Sequence, residues 1–591
     1  MLVSNAVIEY FTSNKTVMRE RAHRALRVLG AYCLLAVSAI LGGATIAAAE
    51  VPKSIIDLQA SRTAETAGLP VNGSETVTLT SLNPAVNAWF VLTLSGSGHS
   101  YHLENALPDR QQLGLAASAT GLLITEGGAA YRCDLWNGPR SALDRASAAP
   151  DAYAPLCDGR IYLRNQIAGH RTRLEEVAEY LRDKVWCGEA VVGVVRDEFF
   201  RDAYRESGPI GPCAISEGMD GPSAPKPASI DPAKGNLGAK PPNLGIRVDH
   251  AAGYGLLLGH WYPVTDLAGI HVSVIQPSAI APAILDSSRA LVNRLDAVEA
   301  EALDYLVAFD LEAFDLGFAL GTDHPRLGWS PRMQPSMRDD ALPGPDGIAS
   351  SAPLVRTGML NPLQAQRVAA TFTGGFKREH GAFRYGPLAT ENSGSHYGFI
   401  EAGTVFSKLQ PGLATLYVLD DGSVHMTTWS QSDDAMLGQI RSARQNGVAL
   451  IEPDAATGMP GPSRFVNKWG PGNWSGSASE SLRTLRAGAC LQETENKRFL
   501  IYGYFSTATP SAMARVFQAY GCRYAMLLDM NALEHTYLAL YVREEKKVTV
   551  EHLVTGMEEV DKLVGHQLVP RFVGFPDNRD FFYLLRREAR Q

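Results

Sequence analysis

One stretch limits what this chain can fold into more than any other: Phe499 to Tyr541, which reads as strand, turn, helix, strand, polar turn, strand. Phe499 to Phe505 is an apolar, β-forming run. Thr509 followed by Pro510 supplies an N-cap and a first helical residue. Met513, Val516, Phe517 and Tyr520 then recur at helical spacing and predict one buried face, and Gly521 stands where a left-handed C-cap is wanted. Tyr524 to Leu528 resumes as a buried strand and carries Asp529 to its end, ahead of Met530, Asn531, Ala532, Leu533 and His535. A carboxylate at the exposed end of a buried strand is fixed by the sheet while the next loop is free to wrap a ligand.

With 591 residues the chain exceeds one ordinary core, so two or three domains are expected. A net charge of -8 gives no basic footprint, which excludes nucleic acid as the expected partner. Arg19, Arg21, Arg24 and Arg27 precede an apolar run ending in Ala47, Ala48 and Ala49. Residues 1–49 therefore read as a signal peptide or, given the length of the run, an N-terminal membrane anchor. Either sends the rest of the chain to a periplasmic or extracellular location. Of seven cysteines, six lie beyond that run: Cys133, Cys157, Cys187, Cys213, Cys490 and Cys522. An even number outside the cytosol favours disulfides. Separation and domain membership favour Cys133 with Cys157, Cys187 with Cys213 and Cys490 with Cys522, out of fifteen connectivities. No zinc spacing or other metal motif is present, and no cofactor is called for.

Residues 72–213 read as a small β-rich α+β domain: Val71 to Leu103 alternates as strands do, Arg171 to Lys184 as an amphipathic helix with Leu174, Val177, Ala178 and Leu181 inward, and Val191 to Val195 as a strand. Its charges read as a solvated surface. Residues 214–245 are rich in Pro, Gly, Ala and Ser, too poor in apolar surface to offset chain entropy, and read as an extended linker. A second domain spans 246–545, with a strand at Trp261 to Gln276, a helix at Ser287 to Leu303, one or two strands at Leu303 to Leu320, strands with an Asp420-Asp421-Gly422 hairpin turn at Phe399 to Val424, and a helix at Gln439 to Gly447. Residues 546–591 read as a partly helical extension packed on it. The expected fold class is thus α+β, a mixed β-sheet domain preceded by a smaller disulfide-braced one.

Three features of the second domain carry chemistry. Val368 to Phe372 ends in Thr373, Gly374 and Gly375 before Phe376 and Lys377; paired glycines bring backbone N–H groups close to a ligand oxygen, or simply form a β-turn. Arg483 and Arg486 enter the strand that contains Gly488, and a guanidinium suits a phosphate. Asp310 and Asp315 are either a second carboxylate pair or charges on an exposed sheet face. Trp469 to Ser477 is a Gly-rich aromatic loop that either covers a sugar ring or packs on the domain.

A strand ending in Thr373-Gly374-Gly375-Phe376, an Arg483-Thr484 ahead of Gly488, and a strand-helix-strand unit ending in Leu528-Asp529 resemble, in order and over roughly 265–545, the phosphodiester glycosidase family. That family includes the lysosomal enzyme that uncovers mannose 6-phosphate and exported bacterial relatives. The resemblance implies an exported hydrolase that cleaves the sugar–phosphate bond of a glycosyl phosphodiester or related envelope glycan, with Asp529 and Arg483 catalytic. Thr373, Gly374, Gly375, Lys377, Arg486, Asn531 and His535 would then hold the substrate. The departures are Thr373 in the place of an Asn, and Met530, Asn531 and Ala532 in the place of a glycine run, so the backbone nest does not carry over. The alternative readings are a glycan- or envelope-binding protein that has lost catalysis, and a glycosidase pairing Asp529 with Asp310 or Asp315.

Overall fold

The Phe499–Tyr541 stretch forms the centre of an eight-stranded antiparallel sheet, whose order is Trp261–Pro263, Ile270–Ile275, Asp304–Asp310, Arg498–Ala508, Thr484–Glu493, Tyr524–Met530, Ala449–Pro453 and Pro460–Pro462. In this computed structural model the described residues are 54–69, 75–136, 141–173, 175–177, 180, 202–212, 223–249, 255–333, 335–382, 396–468, 480–544 and 547–587. The helix Pro510–Ala519 starts as expected, with the Thr509 hydroxyl accepting from the Ala512 amide, and Gly521 turns left-handed after it. Met513, Val516, Phe517 and Tyr520 are all fully buried. Their seat is a cross-strand glycine pair, Gly488 opposite Gly503. A Cβ on Gly488 would stand 2.9 Å from the Met513 methyl and 3.0 Å from the Phe517 ring. Gly488 therefore has a packing role, which is to let the helix lie on the sheet.

The other face of this sheet packs on a five-stranded one, ordered Phe314–Ala319, Phe581–Arg586, Val368–Thr373, Leu538–Glu544 and Lys547–His552. Phe372 of the second sheet lies 5.3 Å from Tyr502 and 6.3 Å from Phe309 of the first, ring to ring. A third sheet, also five-stranded, is ordered Thr404–Ser407, Phe399–Glu401, Ile440–Gln445, Ala414–Leu419 and Val424–Thr428. The N-terminal part forms a six-stranded sheet with its own apolar cluster, including Val77, Phe90, Leu103, Leu122 and Leu163. Overall the fold is a mixed one dominated by β-structure. Residues 223–249, expected up to residue 245 as part of an extended linker, hold a 3-10 turn at Pro232–Lys234 and a strand, Leu237–Ala239, paired with Ile210–Pro212 and Leu256–Leu257; Lys226 exchanges hydrogen bonds with the Gln492 amide and the Ser229 amide donates to the Ala519 carbonyl. The chain divides into Met1–Val51, which lies outside the described residues, and Pro52–Gln591.

Several local expectations give way to tertiary context. Ser287 to Leu303 contains only one helical turn, Ala297–Ala300, started by an Asp296–Glu299 capping box. Gln439 to Gly447 contains the strand Ile440–Gln445, because partners on both sides fix it in a sheet. Among the described residues after 546 there is no helix of the expected length. It forms the strand Lys547–His552, a short 3-10 turn at Met557–Val560, a hairpin of Lys562–Val564 with Gln567–Val569, and the strand Phe581–Arg586, which lies inside the second sheet between Phe314–Ala319 and Val368–Thr373. In the Arg171 to Lys184 segment, Val177 is exposed and Glu175 is buried, the reverse of the expected face; Leu174, Ala178 and Leu181 lie outside the described residues, as do Val191 to Val195 and Trp469 to Ser477.

Two disulfides, Cys133–Cys157 and Cys490–Cys522, match two of the expected pairs; Cys187 and Cys213 lie outside the described residues. Bridges of this kind persist in oxidising compartments, the setting that the two disulfides suggest for this protein. No described helix is long and apolar enough to cross a membrane, and the N-terminal apolar run is outside the described residues.

Candidate functional site

Asp529, the penultimate residue of its strand, is buried where four segments converge. The first is the end of Val368–Thr373 with Gly374 and Gly375. The second is the end of Ile440–Gln445, and the third is the polar run Asp577 to Asp580 that precedes Phe581–Arg586. The fourth is Glu175, from far earlier in the chain. Asn446 bolts two of them together: its amide donates to the Leu527 and Leu528 carbonyls, both at 2.7 Å, and its oxygen accepts from the Phe376 amide at 3.0 Å. Arg444, fully buried, donates to Asp580 at 2.7 Å and to the Phe376 carbonyl at 2.6 Å. Gly375 is the point of closest approach, since a Cβ there would stand 2.9 Å from both the Arg444 guanidinium and the Asn446 oxygen. That crowding is why a glycine is needed.

The centre of the cluster is Arg579. One guanidinium nitrogen donates to Asp529 Oδ2 at 2.6 Å, while Nη2 and Nε reach Glu175 Oε1 at 2.9 and 3.1 Å. Asn578 adds a hydrogen bond to the same Glu175 oxygen at 3.0 Å. The other Asp529 oxygen accepts from the Met530 amide at 2.9 Å. Burial pushes the Glu175 carboxyl up, but the Arg579 charge, helped by His535, Asn578 and Lys377, holds it well below the usual carboxylate range. Glu534 is similarly opposed by burial and held at about 2, chiefly by its hydrogen bond and charge interaction with His535. Lys377, 4% exposed, is pushed down to about 8 by burial and by Arg579, against the pull of Glu175 and Glu379. The result is a desolvated cluster in which carboxylates and cations alternate.

The structure brings together Asp529, Thr373, Gly374, Gly375, Lys377 and His535. Thr373 reaches the Glu534 carbonyl at 3.4 Å, the Gly374 amide donates to the Asp580 carbonyl at 2.9 Å, and the His535 ring meets the Met530 carbonyl at 2.9 Å. Arg483, Arg486 and Asn531 bond to other groups, although Arg486 also reaches the sulfur of Met530, next to Asp529, at 3.4 Å. Arg483 pairs with Asp202 and Asp296. Arg486 is buried and donates to the Ala508 and Leu482 carbonyls. Asn531, left-handed at φ 80°, turns its oxygen to the Thr484 hydroxyl. Asp310 sits opposite Phe499, which pairs with Gln492, whereas Asp529 precedes Met530, which pairs with Arg486 at the other end of those strands. Asp310 binds Lys497 at 2.5 Å, and Asp315 is half-exposed with Arg587 at 2.9 Å, so the Asp310 pairing with Asp529 is excluded by position.

Several members of the cluster escape the sequence reading, among them Arg444, Glu175, Arg579 and Asp580. Arg444 lies in a segment whose pattern suits a helix. Glu175 lies in a segment whose spacing predicts the opposite, apolar face as the buried one. Arg579 and Asp580 follow a Pro-Asp-Asn turn directly before an apolar strand, a signal of the same kind as the one that singled out Asp529. Among the described residues no group of three His, Cys, Asp or Glu is arranged to hold a metal ion.

No family model and no curated protein matches the sequence. Among solved structures, the chain is similar to one described as a "Putative exported protein" of Burkholderia pseudomallei K96243, at 9% identity and a TM-score of 0.21, over 48% of this chain and 74% of that one. It is also similar to a hypothetical protein from Synechocystis, at 10% identity and a TM-score of 0.23, over 88% of this chain and 98% of that one.

Proposed function

We propose that the protein is a periplasmic or extracellular hydrolase that cleaves the sugar–phosphate bond of a glycosyl phosphodiester or related envelope glycan, built on a phosphodiester glycosidase-like domain. The observation that supports this most is the meeting of Asp529 with the Gly374-Gly375 turn and two buried cations, Lys377 and Arg579. In this reading the cations take the role that the sequence resemblance gave to Arg483 and Arg486. They hold the phosphate and stabilise its charge as the bond from the anomeric carbon to the phosphate oxygen breaks. Asp529 takes a proton from the water whose oxygen joins that carbon, or stabilises the positive charge developing there. The phosphate leaves as an anion, so no strong general acid is required.

A second reading, a glycan- or envelope-binding protein without catalysis, draws support from the Asp529–Arg579 contact at 2.6 Å, which already satisfies the carboxylate internally. The two separate in one experiment. Purified protein is incubated with a nucleotide-sugar and with an aryl glycosyl phosphodiester, and free sugar is followed for wild type and Asp529→Asn. The expected outcome is turnover that falls by on the order of 10²–10³ in the variant. Absence of turnover in both proteins, with glycan binding kept, favours the second reading and overturns the first.

A further inference from the structure

Three of the four segments that meet at Asp529 are strand ends or lead into a strand; the fourth, which carries Glu175, is a strap. It begins where the chain leaves the N-terminal sheet after Ile161–Arg164. Of the described residues from Asn165 to Val177, Glu175 is the one that is buried, at 5% exposure, while Val177 is 56% exposed. A segment laid down by apolar packing would show the reverse, with its valine inward and its carboxylate in water. This strap is held mainly by polar contacts. The His170 amide donates to the Pro576 carbonyl at 2.9 Å, and the His170 carbonyl accepts from the Asn578 amide at 3.2 Å. The Gly169 amide donates to the Thr322 hydroxyl at 3.1 Å, Arg171 pairs with a partly exposed Asp323, and the His170 ring meets the Phe575 ring at 5.4 Å.

What Glu175 occupies is an anion site. Its Oε1 alone meets three donors: Arg579 Nη2 at 2.9 Å, Arg579 Nε at 3.1 Å and Asn578 Nδ2 at 3.0 Å. Nε and Nη2 form the side of a guanidinium that grips a carboxylate or a phosphate with two parallel donors, and Nη1 is already turned to Asp529. Arg579 and Asn578 are both buried, and the other cation, Lys377, is drawn by Glu175 and Glu379 alike. A phosphate entering beside Glu175 would add an anion to cations already matched, in a desolvated place where an uncompensated charge is costly. In the place of Glu175 it adds none, because a phosphodiester carries one negative charge, as a carboxylate does.

We propose that Glu175 is a built-in stand-in for the substrate phosphate: the strap blocks the anion site of Arg579 and Asn578, and a phosphodiester monoanion takes the site by displacing it. The proposal rests on the reading of Arg579 as a phosphate-holding cation. The strap is then an autoinhibitory contact, and the apparent affinity for a ligand is reduced in proportion to the fraction of molecules in which the site is open.

The probe is dimethyl phosphate, a monoanionic diester without a sugar, titrated by calorimetry into wild type and Glu175→Gln. Gln keeps the shape but not the charge that holds the strap down, so the variant is expected to bind the probe at least about tenfold more tightly. Adding Arg579→Ala to that variant is expected to abolish the binding. In wild type with saturating probe, the Gly169 and His170 amides, both hydrogen-bonded in the closed strap, are expected to exchange with solvent about threefold or more faster. Binding to Glu175→Gln no tighter than to wild type, unchanged or slower strap exchange, or no binding to either protein overturns the proposal. Should Glu175→Gln fail to fold, the exchange measurement on wild type decides alone. Failure of the hydrolase reading looks different: dimethyl phosphate binds more tightly to Glu175→Gln, while neither protein releases sugar from a glycosyl phosphodiester.

Discussion

Asp304 stands in one cross-strand row with Phe505, Arg486 and Met530, so the acids around Asp304 and those around Asp529 share one end of the eight-stranded sheet. Around Asp529, each buried carboxylate has a cation: Arg579 serves both Asp529 and Glu175, and Arg444 serves Asp580. Around Asp304, Glu206 and Glu299, the described residues supply only neutral donors, such as the Ser506 amide to Asp304 and the Thr509 amide to Glu299. Burial then pushes all three carboxyls up: Asp304 well above its usual range, with Glu299 and Glu206 adding repulsion, and Glu206 to about 7. In the first cluster cations oppose the effect of burial, outweighing it at Glu175 and only reducing it at Asp580, whose carboxyl is still raised against the pull of Arg444. In the second, no cation of the described residues offsets burial and all three carboxyls are raised, so position at the end of a sheet does not by itself set the charge of a carboxyl.

The largest effect should come from unpairing a charge in the first cluster. Arg444→Met leaves the Asp580 carboxyl buried without its cation, and removes the hydrogen bonds that hold the Phe376 carbonyl and Asn446. A loss of about 3–5 kcal/mol is expected in urea denaturation. A loss under about 1 kcal/mol would mean that the pairing contributes little and that the contrast with the Asp304 cluster is not electrostatic.

The next effect is one of sign. Glu206 has a folded value of about 7 against an ordinary 4.5. The folded state therefore binds more protons than the unfolded one between those values. Its contribution is complete below about pH 4.5 and is lost as pH rises through about 7, to the extent of about 3 kcal/mol. Glu534, held at about 2, has the opposite sign: its contribution is present above about pH 4.5 and is lost as pH falls toward 2. Between pH 4.5 and 8 the stability of Glu206→Gln should rise by about 3 kcal/mol relative to wild type. A profile unchanged by that substitution would show that the Asp304 cluster is not proton-loaded. Smaller again is Glu175→Gln, which keeps the shape but leaves Arg579 with one anionic partner. About 2 kcal/mol of stability should be lost.

Much of the first cluster's scaffold was legible in the sequence, and the reason is local. The cap at Thr509-Pro510, the helical spacing of Met513 to Tyr520, the Gly521 stop and the strand that delivers Asp529 are each set by residues near one another. The Gly374-Gly375 turn was legible for the same reason. Its partners were not, because they are made by pairing over long separations. Arg444 lies in a strand fixed from both sides, Arg579 lies in the last strand connection of the chain, and Glu175 lies 404 positions from Arg579. Glu206 carried no signal either: a carboxyl reads as surface until the fold shows that no cation accompanies it.

Arg483 sharpens the comparison from its weak side. It was the arginine favoured by its place before Gly488, yet it pairs with Asp202 and Asp296, whose side chains are 37% and 40% exposed. Those acids belong to the margin of the Asp304 cluster, so Arg483 neutralises its rim and not its interior. Pairs with partly exposed partners are worth about 0–1 kcal/mol. Arg483→Ala should therefore cost no more than about 1 kcal/mol, an effect that shrinks further in high salt. It should also leave turnover of a glycosyl phosphodiester within about twofold of wild type, while Arg579→Ala abolishes it. A large loss of turnover in Arg483→Ala, with stability and the Asp529→Asn phenotype unchanged, would move the reacting centre from the Arg579 side of the strand end to the Thr484–Asn531 side, and would make the Asp304 cluster its neighbour.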